Sequence, residues 1–238
     1  MAEKPWWVLV GGRRRLGRAL AESLGRDHNL LLTSSRPWGD EDGWVADLAK
    51  QTKVRLFRWD ADSPALQEEM MADLETLGTE GLNLECAVIV AGTFPREPLG
   101  TWEPSSLETT WRQNLTFPLL ALQSLAPRLR EGGCLQLILD TAIHRPFLER
   151  MPYCAAKAGL GALVPALARA LGPGVRVVAH ALGTCLPEEG CDPAALARLN
   201  LLGRNGEPED LARALRYAAA SPYLTGEILT LDGGRRWA

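Results

Sequence analysis

Tyr153 and Lys157 stand four residues apart in Tyr153-Cys154-Ala155-Ala156-Lys157, at the opening of a segment with helical patterning. On a helix that spacing puts a phenol and an ammonium on one face. A phenol with the ordinary pKa of about 10 exchanges its proton poorly at neutral pH. A cation one turn away stabilises phenolate and makes Tyr153 a usable proton donor or acceptor. Asp140 precedes this pair and closes an apolar run. A carboxylate within reach of the phenol disfavours phenolate and so opposes Lys157, and the two acids then titrate as a unit. Asp140 also reads as a cap of the loop that follows its run. Asn114, between Trp111 and Phe117, reads equally well as a catalytic group or as a satisfied buried amide.

A second constellation lies near the N-terminus. An apolar run leads into Gly11-Gly12-Arg13-Arg14-Arg15-Leu16-Gly17 and then into a helical pattern. Glycines there let the backbone turn tightly and approach a pyrophosphate, and the helix start supplies free N–H groups and a positive dipole end. A tight turn with no ligand is the plainer alternative. Three consecutive arginines at one turn favour an anion, since like charges repel. The next apolar run ends Thr33-Ser34-Ser35-Arg36, without the acidic residue that would bind a ribose 2′-hydroxyl. Arg36 is placed for a 2′-phosphate instead, with Arg14 reaching it from the loop. Both also read as solvated surface arginines. Asp60 is placed to accept from an adenine amino group or to cap the following helix.

These groups need a scaffold, and the hydrophobic pattern supplies one. Apolar runs at 6–10, 29–33, 53–59, 84–90, 134–140, 175–181 and 227–231 are mostly continuous, as in strands covered on both faces. Helical patterns at 16–24, 64–77, 107–130, 153–171 and 208–219 lie between them. Pro64 and Pro208 suit a first helical turn, with Ser63 as an N-cap for the former. The alternation predicts one Rossmann-type doubly wound α/β domain over residues 1–238, with about seven parallel strands and helices on both faces. Its cofactor half spans about 1–92 and its catalytic and substrate half about 93–238. Residues 184–200, rich in Pro, Gly and Glu, fall where such a fold carries a substrate lid. The 238 residues carry a net charge of −3, which gives no case for nucleic-acid binding. Five cysteines, an odd number without metal-ligand spacing, read as reduced cytosolic thiols, and no metal is expected. No apolar run approaches the length of a membrane helix. Residues 1–5 are too short and polar for a signal peptide, so the expected location is the cytoplasm.

The order of glycine turn, Asn114, Asp140, Tyr153, Lys157, and the tail through Gly203-Arg204-Asn205-Gly206, Leu224-Thr225-Gly226 and Leu231-Asp232-Gly233-Gly234, resembles the short-chain dehydrogenase/reductase family over essentially the whole chain. The resemblance implies a tetrad of Asn114, Asp140 in the usual serine position, Tyr153 and Lys157. Lys157 would also hold the nicotinamide ribose, and Asn114 a water linking the lysine to bulk. It implies cofactor contacts from Gly11, Arg14, Arg15, Leu16, Gly17, Arg36, Asp60, Ala91, Gly92, Gly183 and Thr184. Within the family the chain looks most like the pteridine reductases. Arg15 replaces the second glycine of the turn to give Gly-x-x-x-Arg-x-Gly, Asp140 replaces serine, and Phe94 in Ala91-Gly92-Thr93-Phe94 falls where a phenylalanine sandwiches the pterin. Substrate contacts would then come from Arg15, Phe94, Asp140 and Tyr153. Ile89-Val90 in place of Asn-Asn, and Leu182-Gly183 in place of Pro-Gly, depart from the family pattern.

The expected reaction is therefore hydride transfer from NADPH to a C=N bond of an oxidised pteridine of the dihydropterin or dihydrofolate type. A carbonyl reductase acting on a 3-oxoacyl or other ketone is the first alternative. A catalytically silent NADP-binding sensor or subunit is the second. The resemblance also implies a homotetramer, with helices 107–130 and 153–171 pairing across a two-fold axis and residues 231–237 at another interface. A guanidinium on the 2′-phosphate should favour NADPH over NADH by about 1.5–3 kcal/mol. Arg36→Asp should erase or invert that preference. Equal affinity of the unaltered protein for both cofactors, measured by titration, would contradict the assignment.

Overall fold

The computed structural model describes residues 3–79 and 81–238. Seven strands form one wholly parallel sheet: β1 (Trp6–Val10), β2 (Asn29–Ser34), β3 (Val54–Arg58), β4 (Leu84–Ile89), β5 (Leu129–Asp140), β6 (Val175–Leu182) and β7 (Glu227–Leu231). Their order is β3-β2-β1-β4-β5-β6-β7. Strand order reverses between β1 and β4, so a crevice opens at the carboxyl ends of those two strands.

The helices are α1 (Arg15–Leu24), α2 (Gly43–Ala49), α3 (Leu66–Thr79), α4 (Pro104–Trp111), α5 (Phe117–Leu125), α6 (Met151–Leu171), α7 (Pro193–Ala197) and α8 (Pro208–Ala220). Side chains of β1 alternate between the two faces. Trp6, Val8 and Val10 pack with α3, α5 and α6, while Trp7 and Leu9 pack with α1, α2 and α8. Two apolar layers thus clamp the sheet, which is why its strands read as continuous apolar runs.

Three sequence expectations are corrected. The helix expected over 107–130 is α4, a π-helical turn at Arg112–Thr116, and α5, and β5 already begins at Leu129. The early strand start is possible because Gly132 holds φ +74° and the β4–β5 register shifts between Leu84 and Cys86. Helix α3 starts at Leu66 rather than Pro64, with Ser63 Oγ accepting from the Ala65 N–H at 3.3 Å. Helix α6 is long and apolar enough, by length and composition, to cross a membrane, which contradicts the expectation that no segment is. It earns that composition by packing Leu160 and Val164 into the core, and it carries Lys157 within its buried face. Leu163, by contrast, is exposed. Helices α2 and α7 have no sequence signal of their own, being too short for a periodic pattern.

Arg176 ties β6 to α8. Its guanidinium is buried and donates to the carbonyls of Ala218, Ala219, Ser221 and Leu224 at 2.7–3.3 Å. Ala218 and Ala219 lie in the last turn of α8, Ser221 is its C-cap and Leu224 lies in the turn beyond, so one guanidinium gathers the carbonyls where the helix ends. Arg176→Ala should lower stability by about 2–3 kcal/mol, the scale of hydrogen bonds to a charged group. Chemical denaturation would measure this, and a loss below about 1 kcal/mol would show that water replaces the arginine.

Candidate active site

The glycine turn is built against β2 and β4. Gly11 N–H donates to Thr33 Oγ1 at 3.2 Å and Gly12 N–H to the Thr33 carbonyl at 3.0 Å. A side chain at Gly17 would put Cβ 2.0 Å from the Gly11 carbonyl oxygen, and one at Gly11 would meet Ala91 at 2.9 Å. Both positions therefore require glycine. Arg15 adopts φ +45°, the left-handed conformation that the usual glycine takes without strain. An L-residue there costs about 1–2 kcal/mol. Leu16 packs on the α1 side of the sheet. Arg14 is the N-cap of α1 without a side-chain cap, so the helix start keeps its donors free for an anion.

The three arginines do not all await that anion. Arg13, the first of the three, is buried and pairs with Asp42 at 2.8 Å and with Glu41. Its guanidinium holds the Asp42 carboxyl below the usual range. Arg14 stands 3.8 Å from Glu41 and is exposed. Arg15 donates to the Leu186 and Pro187 carbonyls at 2.8 and 3.3 Å. Acids from the loop before α2 thus supply part of the charge balance that the sequence reading assigned wholly to a ligand. Arg36 is exposed, and among the described residues its guanidinium makes no ion pair. Asp60 pairs with Arg58 at 3.2 Å and accepts from the Asp62 N–H at 3.1 Å. These contacts close the turn after β3 rather than cap α3 itself, and they leave the adenine contact as an expectation.

The chemical groups converge at the ends of β4, β5 and β6. The Tyr153 hydroxyl donates to Asp140 Oδ2 at 3.0 Å, and the Ala142 N–H donates to Asp140 Oδ1 at 2.7 Å. Asp140 therefore fills both readings, touching the phenol and capping the loop. Lys157 Nζ donates to the Ile138 carbonyl at 3.1 Å. Asn114 is fully buried in the π-helical turn. Its amide donates to the Thr110 carbonyl and to Thr93 Oγ1, and its Oδ1 accepts from the Thr93 N–H. These bonds brace the Gly92–Thr93 segment against the π-helical turn, a structural role for the amide beside the catalytic one that the resemblance implies. Gly92 is the meeting point: a Cβ there would lie 2.7 Å from Asn114 Oδ1 and 3.3 Å from Lys157 Nζ.

Burial controls the titration of this group. It pushes the Tyr153 hydroxyl well above its ordinary value, and the Asp140 charge adds to the effect. It also raises the Asp140 carboxyl, against the Ala142 and Tyr153 hydrogen bonds and the charges of Lys157 and Arg235. It lowers the Lys157 ammonium to about 8, against the attraction of Asp140. Near neutral pH Tyr153 therefore holds its proton. Burial and the Asp140 charge thus outweigh the phenolate stabilisation expected from Lys157, and the resting site holds a neutral phenol hydrogen-bonded to Asp140.

The Phe94 ring lies 4.8 Å from the Tyr153 ring, edge to face. Arg150, the N-cap of α6, stacks over Phe94 with its guanidinium carbon 3.7 Å from the ring centroid. Gly183 approaches Asp232 so closely that a Cβ would sit 2.8 Å from its Cα. Thr184 Oγ1 accepts from Arg235 at 2.9 Å. The segment after Thr184 crosses toward the glycine turn, where Arg15 holds it, as a lid would. A cavity of about 440 Å³ between the ends of β6 and β7 is lined by Thr184, Cys185, Arg204, Asp210 and Gly234. Neither Tyr153 nor Asp140 lines it. Thr33, Thr93 and Arg150 are functional neighbours that sequence reasoning missed, because nothing local links them to the glycines, Asn114 or Phe94.

The residues present fit a dinucleotide: two obligatory glycines, an uncapped helix start and, just beyond β2, an exposed Arg36 with no ion pair among the described residues. Gly17→Ala would drive Cβ into the Gly11 carbonyl. It should weaken NADPH binding at least about 10-fold, the effect of about 1.4 kcal/mol. Fluorescence titration reads this, and unchanged affinity would show that the turn does not carry the cofactor.

The family model described as Enoyl-(Acyl carrier protein) reductase matches residues 12–236. Carbonyl reductase family member 4 of Xenopus tropicalis is 31% identical over 235 residues, covering 95% of this chain and 96% of the relative. L-rhamnose 1-dehydrogenase (NADP(+)) of Thermoplasma acidophilum is 25% identical, covering 95% and 94%. Among solved structures, a short-chain dehydrogenase/reductase from Serratia marcescens superposes with TM-score 0.87 at 24% identity over 98% of each chain. A blue fluorescent protein from a metagenomic library, in complex with NADPH, does so with the same TM-score, identity and coverage. Match to the family model across nearly the whole chain, together with this seven-stranded fold, makes the protein a member of the short-chain dehydrogenase/reductase family.

Proposed function

We propose that this oxidoreductase is an NADPH-dependent carbonyl reductase. The observation that carries the reading is the Tyr153 hydroxyl, bonded to Asp140 at 3.0 Å and one helical turn from the buried Lys157. The relatives named for carbonyl reduction and for NADP(+) support it, as does the exposed Arg36 without an acidic neighbour on β2.

NADPH, when bound, supplies the hydride. Arg36 and Arg14 would hold its 2′-phosphate, and the Gly11–Gly17 turn its pyrophosphate. Lys157 would hold the nicotinamide ribose, and Ala91, Gly92, Gly183 and Thr184 would border the pocket. Tyr153 gives its proton to the substrate oxygen, and the Lys157 ammonium steadies the phenolate left behind. Asp140 fits this chemistry through its burial. A carboxyl whose pKa is raised is neutral more often, and a neutral carboxyl donates to a carbonyl oxygen as a serine hydroxyl would. Its ionised form accepts from Tyr153 instead. The donor form is present at low pH and is lost as pH rises through the raised Asp140 value. Lys157 sets the alkaline limit, because its charge is lost above about 8.

A second reading is reduction of a pterin C=N bond. Phe94, 4.8 Å from Tyr153, is the observation that favours it, because a flat ring could stack there. A homotetramer in the cytoplasm remains part of the proposal, with exposed Trp111 on α4, Leu163 on α6 and Trp237 in the tail as contact candidates.

The test is NADPH oxidation over a panel of ketones, aldehydes and oxidised pterins. Carbonyl turnover should dominate, and Tyr153→Phe should lower it by about 10²-fold or more. Asp140→Asn cannot supply a carboxyl proton and should lower carbonyl kcat by a similar factor, while removing the acid-side enhancement from the pH profile. Turnover of pterins alone would establish the second reading. NADPH binding without turnover of any panel member would overturn both and leave a silent NADP-binding protein.

A further inference from the structure

Arg150 occupies an unusual position for a helix N-cap. It is mostly buried, its guanidinium plane covers Phe94, and one of its N–H groups donates to the Phe94 carbonyl. Its other terminal nitrogen lies 2.8 Å from Glu188 Oε2. Glu188 belongs to the segment after β6 and is 44% exposed, against 17% for Arg150. Phe94 in turn lies against Tyr153. The cation is therefore one aromatic ring away from the proton donor, and the carboxylate that meets it comes from the lid.

That asymmetry matters. An exposed glutamate gains little from an ion pair, so the lid can give it up at small cost. A largely buried guanidinium left without an anion is expensive. Whatever displaces Glu188 must bring a negative charge, and a planar guanidinium favours a carboxylate that it can grip with two N–H groups. The backbone beside Glu188 is held by Arg15 through the Leu186 and Pro187 carbonyls, so the glutamate is presented to Arg150 from a tethered position.

We infer that Arg150 is the anchor for a carboxylate on the substrate, and that Glu188 is a built-in stand-in for that carboxylate. Resting on the carbonyl reductase reading, this names the substrate class: small, flat carbonyl compounds with a carboxylate about one ring away from the reacting carbon. Such a molecule would lie along Phe94, with its carbonyl toward Tyr153 and its anionic end on Arg150. Glu188 leaves as the substrate enters, which couples lid position to substrate charge.

The test compares 4-formylbenzoate with its methyl ester, which differ in charge at one end and little in shape. The unaltered enzyme should prefer the carboxylate in kcat/KM by about 10-fold or more, chiefly through KM. Arg150→Gln should bring the ratio close to one. Glu188→Gln should widen it several-fold, since the internal competitor is gone. A ratio near one in the unaltered enzyme, or a ratio unchanged by either substitution, overturns the inference. A turnover-independent reading uses calorimetric titration of the cofactor-free protein with 4-(hydroxymethyl)benzoate. Glu188→Gln should bind it several-fold more tightly than the unaltered protein, and equal affinity counts against the stand-in. If no carbonyl compound is reduced at all, the carbonyl reductase reading fails, while this titration still decides the anchor.

Discussion

Everything at the carboxyl end of this sheet depends on burying three titratable groups together. Tyr153, Asp140 and Lys157 are withdrawn from water at the ends of adjacent strands, and each charge among them needs a partner. Asp140 takes hydrogen bonds from the Tyr153 hydroxyl and the Ala142 N–H, and Lys157 gives one to the Ile138 carbonyl. Those few contacts make the cluster affordable. Desolvation then does the chemical tuning: it keeps the proton on tyrosine and brings lysine down toward neutrality.

The surrounding elements are arranged to hold that cluster still. The π-helical turn delivers Asn114 to the Gly92–Thr93 segment, and that segment passes close to Lys157. Irregular helical turns of this type recur at functional sites because they re-aim a side chain without ending the helix. The glycine turn is held from the other side by Thr33 of β2 and by contact with Ala91 after β4. The cofactor crevice and the proton-transfer cluster therefore share the β4 end as a common wall.

Arginine is used in three distinct ways around this site. Arg13 is buried against acids and stiffens the turn, and Arg36 is left exposed at the end of β2. Arg15 and Arg150 both reach the lid, one through backbone carbonyls and the other through Glu188. A residue that is always charged suits each role, because burial cannot discharge it at working pH.

Strand positions, the glycine turn, the Tyr153–Lys157 spacing and the order of motifs were legible in the sequence by itself. Each is a local pattern, set by side-chain periodicity within a strand or helix or by the backbone freedom of glycine. The seven strands follow from continuous apolar runs because both faces of a parallel sheet are covered. The contacts that assign roles were not legible. Whether Asp140 touches Tyr153, whether Asn114 is free or fully bonded, and whether Arg13 faces a ligand or Asp42 depend on segments far apart in the chain. The same holds for Arg150, which meets Phe94 and Glu188 only once β4, β5 and β6 lie side by side. Pairing between distant residues is fixed by how strands order and how loops cross the sheet edge. That information resides in the packing of the whole sheet, so only the tertiary structure decided it.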